Sequence, residues 1–198
     1  MKNYAEEIAY LYFRLNGFFL LENYITNKEE YTGRNHTDTD LLGIKTPYVT
    51  EEIGLNNIND IDTRLREIVH PDFYIGLICE VKGGEEANWQ LAVDKMNPCV
   101  KRLGLIPPEN TAEAVYSLDR TNQYTLSGSP IQIIKVLATD NTGLSADMGM
   151  LWNIIPLENM VNFIKDRMDR YDSKRNSWHF SHSTIFQYLL YEKRNRAH

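Results

Sequence analysis

Only two cysteines, Cys79 and Cys99, occur in 198 residues, so a disulfide framework is not expected to hold this chain together. No apolar run approaches the ~20 residues that a membrane-spanning helix needs. Low-complexity tracts, internal repeats and linkers are also missing, and with them any clear domain boundary. Positive charge is in deficit: 21 Lys and Arg stand against 27 Asp and Glu, a net charge of −6. That balance argues against a protein that coats nucleic acid non-specifically, because neutralising phosphates takes a cationic surface. The opening residues, Met1-Lys-Asn-Tyr-Ala-Glu-Glu7, carry acid where a secretion signal has its apolar stretch. The expectation is a cytoplasmic protein with no membrane partner. At 42% hydrophobic and 24% charged residues, the chain has the composition of an ordinary globular domain with a real core. We expect one domain over residues 1–198, its core ending near 155 and helices following from about 156.

Periodicity predicts a mixed α and β order. Ala5, Ile8, Ala9 and Tyr12 fall on one helical face within residues 4–16, and Asn16-Gly17 is a helix stop. Strands are expected at 18–25, 36–45 and 73–82, with a polar turn at 27–35 and an irregular stretch at 46–59. A short helix carrying Ile61, Leu65, Ile68 and Val69 should end at His70-Pro71. The run Phe73–Lys82 is apolar on both faces apart from its charged end, the pattern of a central strand covered on both sides. A helix is expected from about Glu85, kinked or broken at Pro98. Another spans 110–119, with Asn110 and Glu113 at capping-box spacing. Strands at 131–139 and 150–155 and helices at 157–171 and 181–194 complete the reading.

Charge placed inside two of these strands carries the functional information. Asp38 and Asp40 lie in His36-Thr-Asp-Thr-Asp-Leu-Leu-Gly-Ile44, and Glu80-Val81-Lys82 closes the central strand. Core formation alone does not favour such residues. Strand side chains alternate, so Glu80 and Lys82 share a face, and so should Asp38 and Asp40. If the two strands pair, two carboxylates and one ammonium converge, an arrangement that can hold a divalent metal and a water. The bland alternative is an exposed, chemically idle strand end. Asp38 reads better as a polar partner at the strand entrance than as a ligand. Cys79, opposite Glu80, reads as a buried packing thiol.

The order helix, strand, strand with Asp40, strand with Glu80-x-Lys82, helix, strand resembles the PD-(D/E)xK nuclease superfamily over roughly residues 4–140. Gly17-Phe18-Phe19 after the first helix and Gly83-Gly84 after the lysine add to the resemblance. It implies a restriction-endonuclease-like α/β fold, a mixed β-sheet flanked by α-helices, here with a C-terminal helical extension. It also implies Mg²⁺- or Mn²⁺-dependent hydrolysis of phosphodiester bonds, of DNA before RNA, in restriction, repair or defence. A literal Pro71-Asp72 also precedes Glu80. Eight extended residues at ~3.3 Å each would hold Asp72 and Glu80 ~26 Å apart, so Asp72 is rejected as a ligand.

In that reading Asp40 and Glu80 give hard oxygen ligands, with the Val81 carbonyl as a third. Lys82 orients or deprotonates a water, or stabilises developing charge. By resemblance, a first-helix glutamate joins them, Glu7 or the adjacent Glu6. Gln90, beside Trp89 on the helix after the Glu-x-Lys strand, is a further polar helper.

Two rivals remain: a catalytically inactive member of the same fold serving as an adaptor subunit, and an enzyme with another substrate. A protein partner or a homodimer is compatible with either. His179-x-x-His182 lacks further ligands for zinc, and His36 reads as a loop residue. The basic residues Lys165, Arg167, Arg170, Lys174 and Arg175 alternate with Asp166, Asp169 and Asp172. They suit a solvated face with ion pairs better than a DNA-contacting patch.

Overall fold

The computed structural model describes residues 4–26, 37–53, 56–58, 60–83, 93–141, 146–170 and 183–196. Helix α1 (Tyr4–Leu15) buries Ala5, Ile8, Ala9, Leu11, Tyr12 and Phe13. It stops as its sequence requires. Gly17 takes a φ of +86°, the Phe18 amide reaches back to the Phe13 carbonyl and the Gly17 amide to that of Arg14. This pair of bonds closes a helix end with a left-handed residue. A side chain at Gly17 would also bring its Cβ within 2.7 Å of Val49.

Strands β1 (Phe19–Thr26) and β2 (Thr37–Lys45) follow, then the small hairpin β3 (Glu51–Ile53) and β4 (Asn56–Ile58). Helix α2 (Thr63–Ile68) leads to β5 (Tyr74–Lys82), and α3 (Val93–Leu103) to a 3-10 turn (Pro108–Asn110) and α4 (Thr111–Arg120). After β6 (Gln123–Thr125) and β7 (Ile131–Thr139) come α5 (Ala146–Leu151), β8 (Asn153–Pro156), α6 (Leu157–Arg170) and α7 (Thr184–Arg196). The main sheet is six-stranded in the order β1-β2-β5-β7-β6, with β8 also on β7. The β5–β7 and β7–β8 pairs are parallel, and β1–β2, β2–β5 and β6–β7 are antiparallel. The architecture is α/β, a mixed sheet flanked by helices, as the sequence led us to expect.

Helices cover both faces. Leu41, Leu77, Cys79 and Val81 meet α1 and α6 on one side; Leu42, Ile78 and Ile133 meet α3 and α4 on the other. Strand β5 is buried from Ile75 to Val81, as a central strand must be. The first tail helix is no appendage, since Met160, Phe163, Ile164 and Met168 of α6 share one apolar cluster with α1. Among the described residues, no helix is long and apolar enough to cross a membrane.

Several local expectations need correction. The stretch 46–59 contains the β3–β4 hairpin, whose three-residue polar strands leave no periodic trace. Buried Arg167 of α6 fastens it, bonding to the Glu51 carboxylate and to the Asp60 carbonyl at 3.0 Å. Helix α3 runs through Pro98, with Met96, Cys99, Val100 and Leu103 buried around the missing bond; packing outweighs the lost donor. No capping box forms at Asn110, whose backbone is already helical as the end of the 3-10 turn. Met150 belongs to α5 rather than to a strand; β8 begins at Asn153, after Trp152 closes α5 with a 2.9 Å bond to the Met148 carbonyl. The three-residue strand β6, with buried Tyr124 at its centre, was not anticipated. The polar turn at 27–35 lies outside the described residues.

Candidate functional site: a fork between two strands

Strands β2 and β5 pair from Lys45↔Ile75 to Leu41↔Cys79, and there their ladder ends. Beyond that point β2 stays with β1 as far as Thr26↔Thr37, while β5 stays with β7 as far as Lys82↔Thr139. The sheet therefore forks at Asp40 and Glu80. In the fork the Asp40 carboxylate takes over from the ladder: its Oδ2 accepts the Val81 amide at 2.6 Å. Strand β1 is irregular at the same level, with Asn23 at a φ of +49°. Thr39 Oγ1 lies 3.1 Å from Cys99 Sγ on α3, the layer that Leu42 also faces. Strict alternation through residues 38–42, assumed from the sequence, thus does not hold across Asp40.

On the other prong, Glu80 is 4% exposed, an acid inside a central strand. Its Oε2 meets Lys82 Nζ at 3.1 Å, and the same Nζ lies 3.8 Å from Asp40 Oδ2. Glu80 Oε1 is buried and has no hydrogen-bond partner among the described residues. Burial, then the Asp40 charge, pushes the Glu80 carboxyl up to about 7. Burial also raises Asp40, against the Val81 amide and the Lys82 charge. For Lys82 burial pulls the other way, but Glu80 and Asp40 together outweigh it and the ammonium is held above its ordinary value.

Of the remaining candidates, Asp38 lies close enough for its charge to raise Asp40 and Lys82. Glu7 belongs to α1, which packs on the layer of Val81 and Cys79, and its Oε1 accepts the Ile185 amide of α7 at 3.4 Å. Asp38 is exposed. Asp72 is exposed in the turn before β5, at the end away from Glu80. Gln90, Trp89, His36, His179, His182, Lys174 and Arg175 fall outside the described residues. In the tail, Lys165 pairs with Glu192 at 3.4 Å, Arg170 with Asp60 at 2.9 Å and Arg167 with Glu51 and Asp60. These ion pairs join separate elements rather than neighbours on one helix. Cys79 and Cys99 are both buried free thiols.

One site residue escaped the sequence reading. Lys95 of α3 donates to the Asp38 carbonyl at 3.0 Å and its charge favours the ionised forms of Asp40 and Glu80. The available signal was its place one helical turn before the apolar Cys99, on the face turned to the sheet.

Comparison with protein families, with curated proteins and with solved structures returns no match for this chain. The site must speak for itself. Among the described residues no group of three or more His, Cys, Asp and Glu side chains gathers. A divalent ion here would take Asp40, Glu80 and backbone oxygen, with waters completing its shell, which is how Mg²⁺ is commonly held. The unpartnered buried Glu80 Oε1 fits such an ion, because a buried carboxylate oxygen left without a donor is costly unless a cation meets it.

Proposed function

We propose that this chain is a PD-(D/E)xK-type nuclease with a restriction-endonuclease-like fold, hydrolysing phosphodiester bonds of DNA with Mg²⁺ or Mn²⁺. The observation that carries the reading is the fork: it brings Asp40, Glu80 and Lys82 together at the point where two central strands part. Asp40, Glu80 and the Val81 carbonyl would hold the metal, which would supply a Lewis acid for the phosphate and an activated water.

The chain's own residues do the rest. Asp40 is oriented by the Val81 amide, so its second oxygen remains for a ligand. Lys82, held as an ammonium by the two acids, acts as a hydrogen-bond donor that orients water and stabilises phosphoryl charge. In the overall step, the water oxygen bonds to phosphorus as the bond to the leaving oxygen breaks; the water's proton passes to solvent, and the leaving oxygen takes a proton from solvent.

A second reading, a nuclease-fold adaptor without activity, has its own observations. The net charge is −6, the described tail cations Lys165, Arg167 and Arg170 are committed to ion pairs, and the edge strand β1 exposes Phe19, Leu21 and Ile25. Incubation with linear, circular and single-stranded DNA in Mg²⁺ or Mn²⁺ separates the two. The nuclease cleaves, and Lys82→Ala and Asp40→Asn each lose about 100-fold or more. Absence of cleavage with every metal and substrate favours the adaptor.

A further inference from the structure

Beyond the acids and Lys82, one more cation borders the fork. Lys95 is half-buried, and its Nζ bonds to the carbonyl of Asp38, in the part of β2 that has already left β5. An ammonium has three donors, so this tether leaves two for another acceptor. Holding one carbonyl needs no full charge; a glutamine could do it. The charge matters for a different reason. Asp40 and Glu80 are both acidic and the chain is acidic overall, a field that repels anions. Lys82 on the β5 prong and Lys95 on the β2 side offset the charges of Asp40 and Glu80, while exposed Asp38 adds a third acid within range, so without these lysines an approaching anion is opposed by three carboxylates. Packing fixes the lysine's element in place, since Cys99, one turn on, abuts Thr39 of β2.

We propose that Lys95 is a phosphate-binding residue of the fork, holding the nucleic-acid backbone on the β2 side while the neighbouring phosphate faces Asp40, Glu80 and Lys82. The inference rests on the nuclease reading and adds to it where the strand lies. Fluorescence anisotropy of a labelled short duplex DNA, with CaCl₂ replacing MgCl₂ and over a series of salt concentrations, tests it on wild type, Lys95→Gln and Lys95→Arg. Lys95→Gln should bind about 5- to 10-fold more weakly, with a log–log salt slope smaller by about one. Lys95→Arg should restore both. Lys95→Met, lacking charge and tether alike, reports any purely structural part through its melting temperature. If Lys95→Gln binds with wild-type affinity and slope, the inference is overturned and the nuclease reading stands. DNA bound by wild type but uncut in Mg²⁺ and Mn²⁺ overturns hydrolysis and leaves Lys95 its role. No binding by wild type overturns both.

Discussion

The Asp40 carboxylate accepts the Val81 amide at 2.6 Å across a gap where the backbone ladder has ended. One side chain thus does two jobs: it satisfies a buried backbone donor and presents an acid beside Glu80 and Lys82. Each job can be removed separately. Asp40→Asn keeps an oxygen acceptor for Val81 and should unfold near the wild-type midpoint while losing cleavage. Asp40→Ala strands a buried amide and should cost about 1–3 kcal/mol as well. Denaturant melts of both variants check this; equal stability of the two would mean that the amide is satisfied by something else.

Buried Glu80 gives stability a definite pH dependence. Its carboxyl moves from 4.5 to about 7 on folding, so the folded chain binds this proton more tightly than the unfolded one. The stabilisation from protonation is complete below about 4.5 and disappears as the pH rises through about 7. In EDTA, unfolding free energy should therefore fall with rising pH across that window, by at most about 3 kcal/mol. Asp40, also raised, adds in the same direction. Glu80→Gln should flatten the decline, be more stable than wild type near neutral pH, and be inactive. Wild-type stability that rises over the same window would contradict this picture of Glu80.

The clasp formed by Arg167 lies away from the fork and should act on folding alone. Its guanidinium is buried between Glu51 and Asp60, tying the β3–β4 hairpin and the entry to α2 onto α6. Arg167→Ala removes this buried guanidinium and its bond to the Asp60 carbonyl, although Asp60 keeps Arg170, and should cost about 1–3 kcal/mol. Cleavage per folded molecule should stay at the wild-type rate. A thermal melt paired with an activity assay well below the midpoint distinguishes the two effects.

Much of the site was legible because charge inside an apolar strand is conspicuous. Glu80 and Lys82 close a nine-residue strand that is buried from Ile75 to Val81, and alternation alone puts them on one face. The fork was not legible. Where a ladder stops depends on which neighbour each strand keeps, and nothing local to Leu41 or Cys79 encodes that. Lys95 was hidden for a related reason, since a helix lysine is ordinarily a solvated one until packing turns its face inward. The helices α1 and α6 were clear from long apolar periods, whereas β3, β4 and β6 are three residues each, too short for any period. At Pro98 and Asn110 a sound local rule lost to tertiary packing and to the preceding 3-10 turn.

A divalent ion held at the fork is what separates a nuclease from an idle strand end. Titration of Mn²⁺ into metal-free protein, followed by calorimetry or by the loss of the free-ion electron paramagnetic resonance signal, measures it without reference to turnover. Wild type should bind saturably, with proton release as Glu80 ionises, and binding should weaken by about 10-fold or more in Glu80→Gln and in Asp40→Asn. Wild-type protein that binds no Mn²⁺, or binds it as tightly after both substitutions, would contradict such a site.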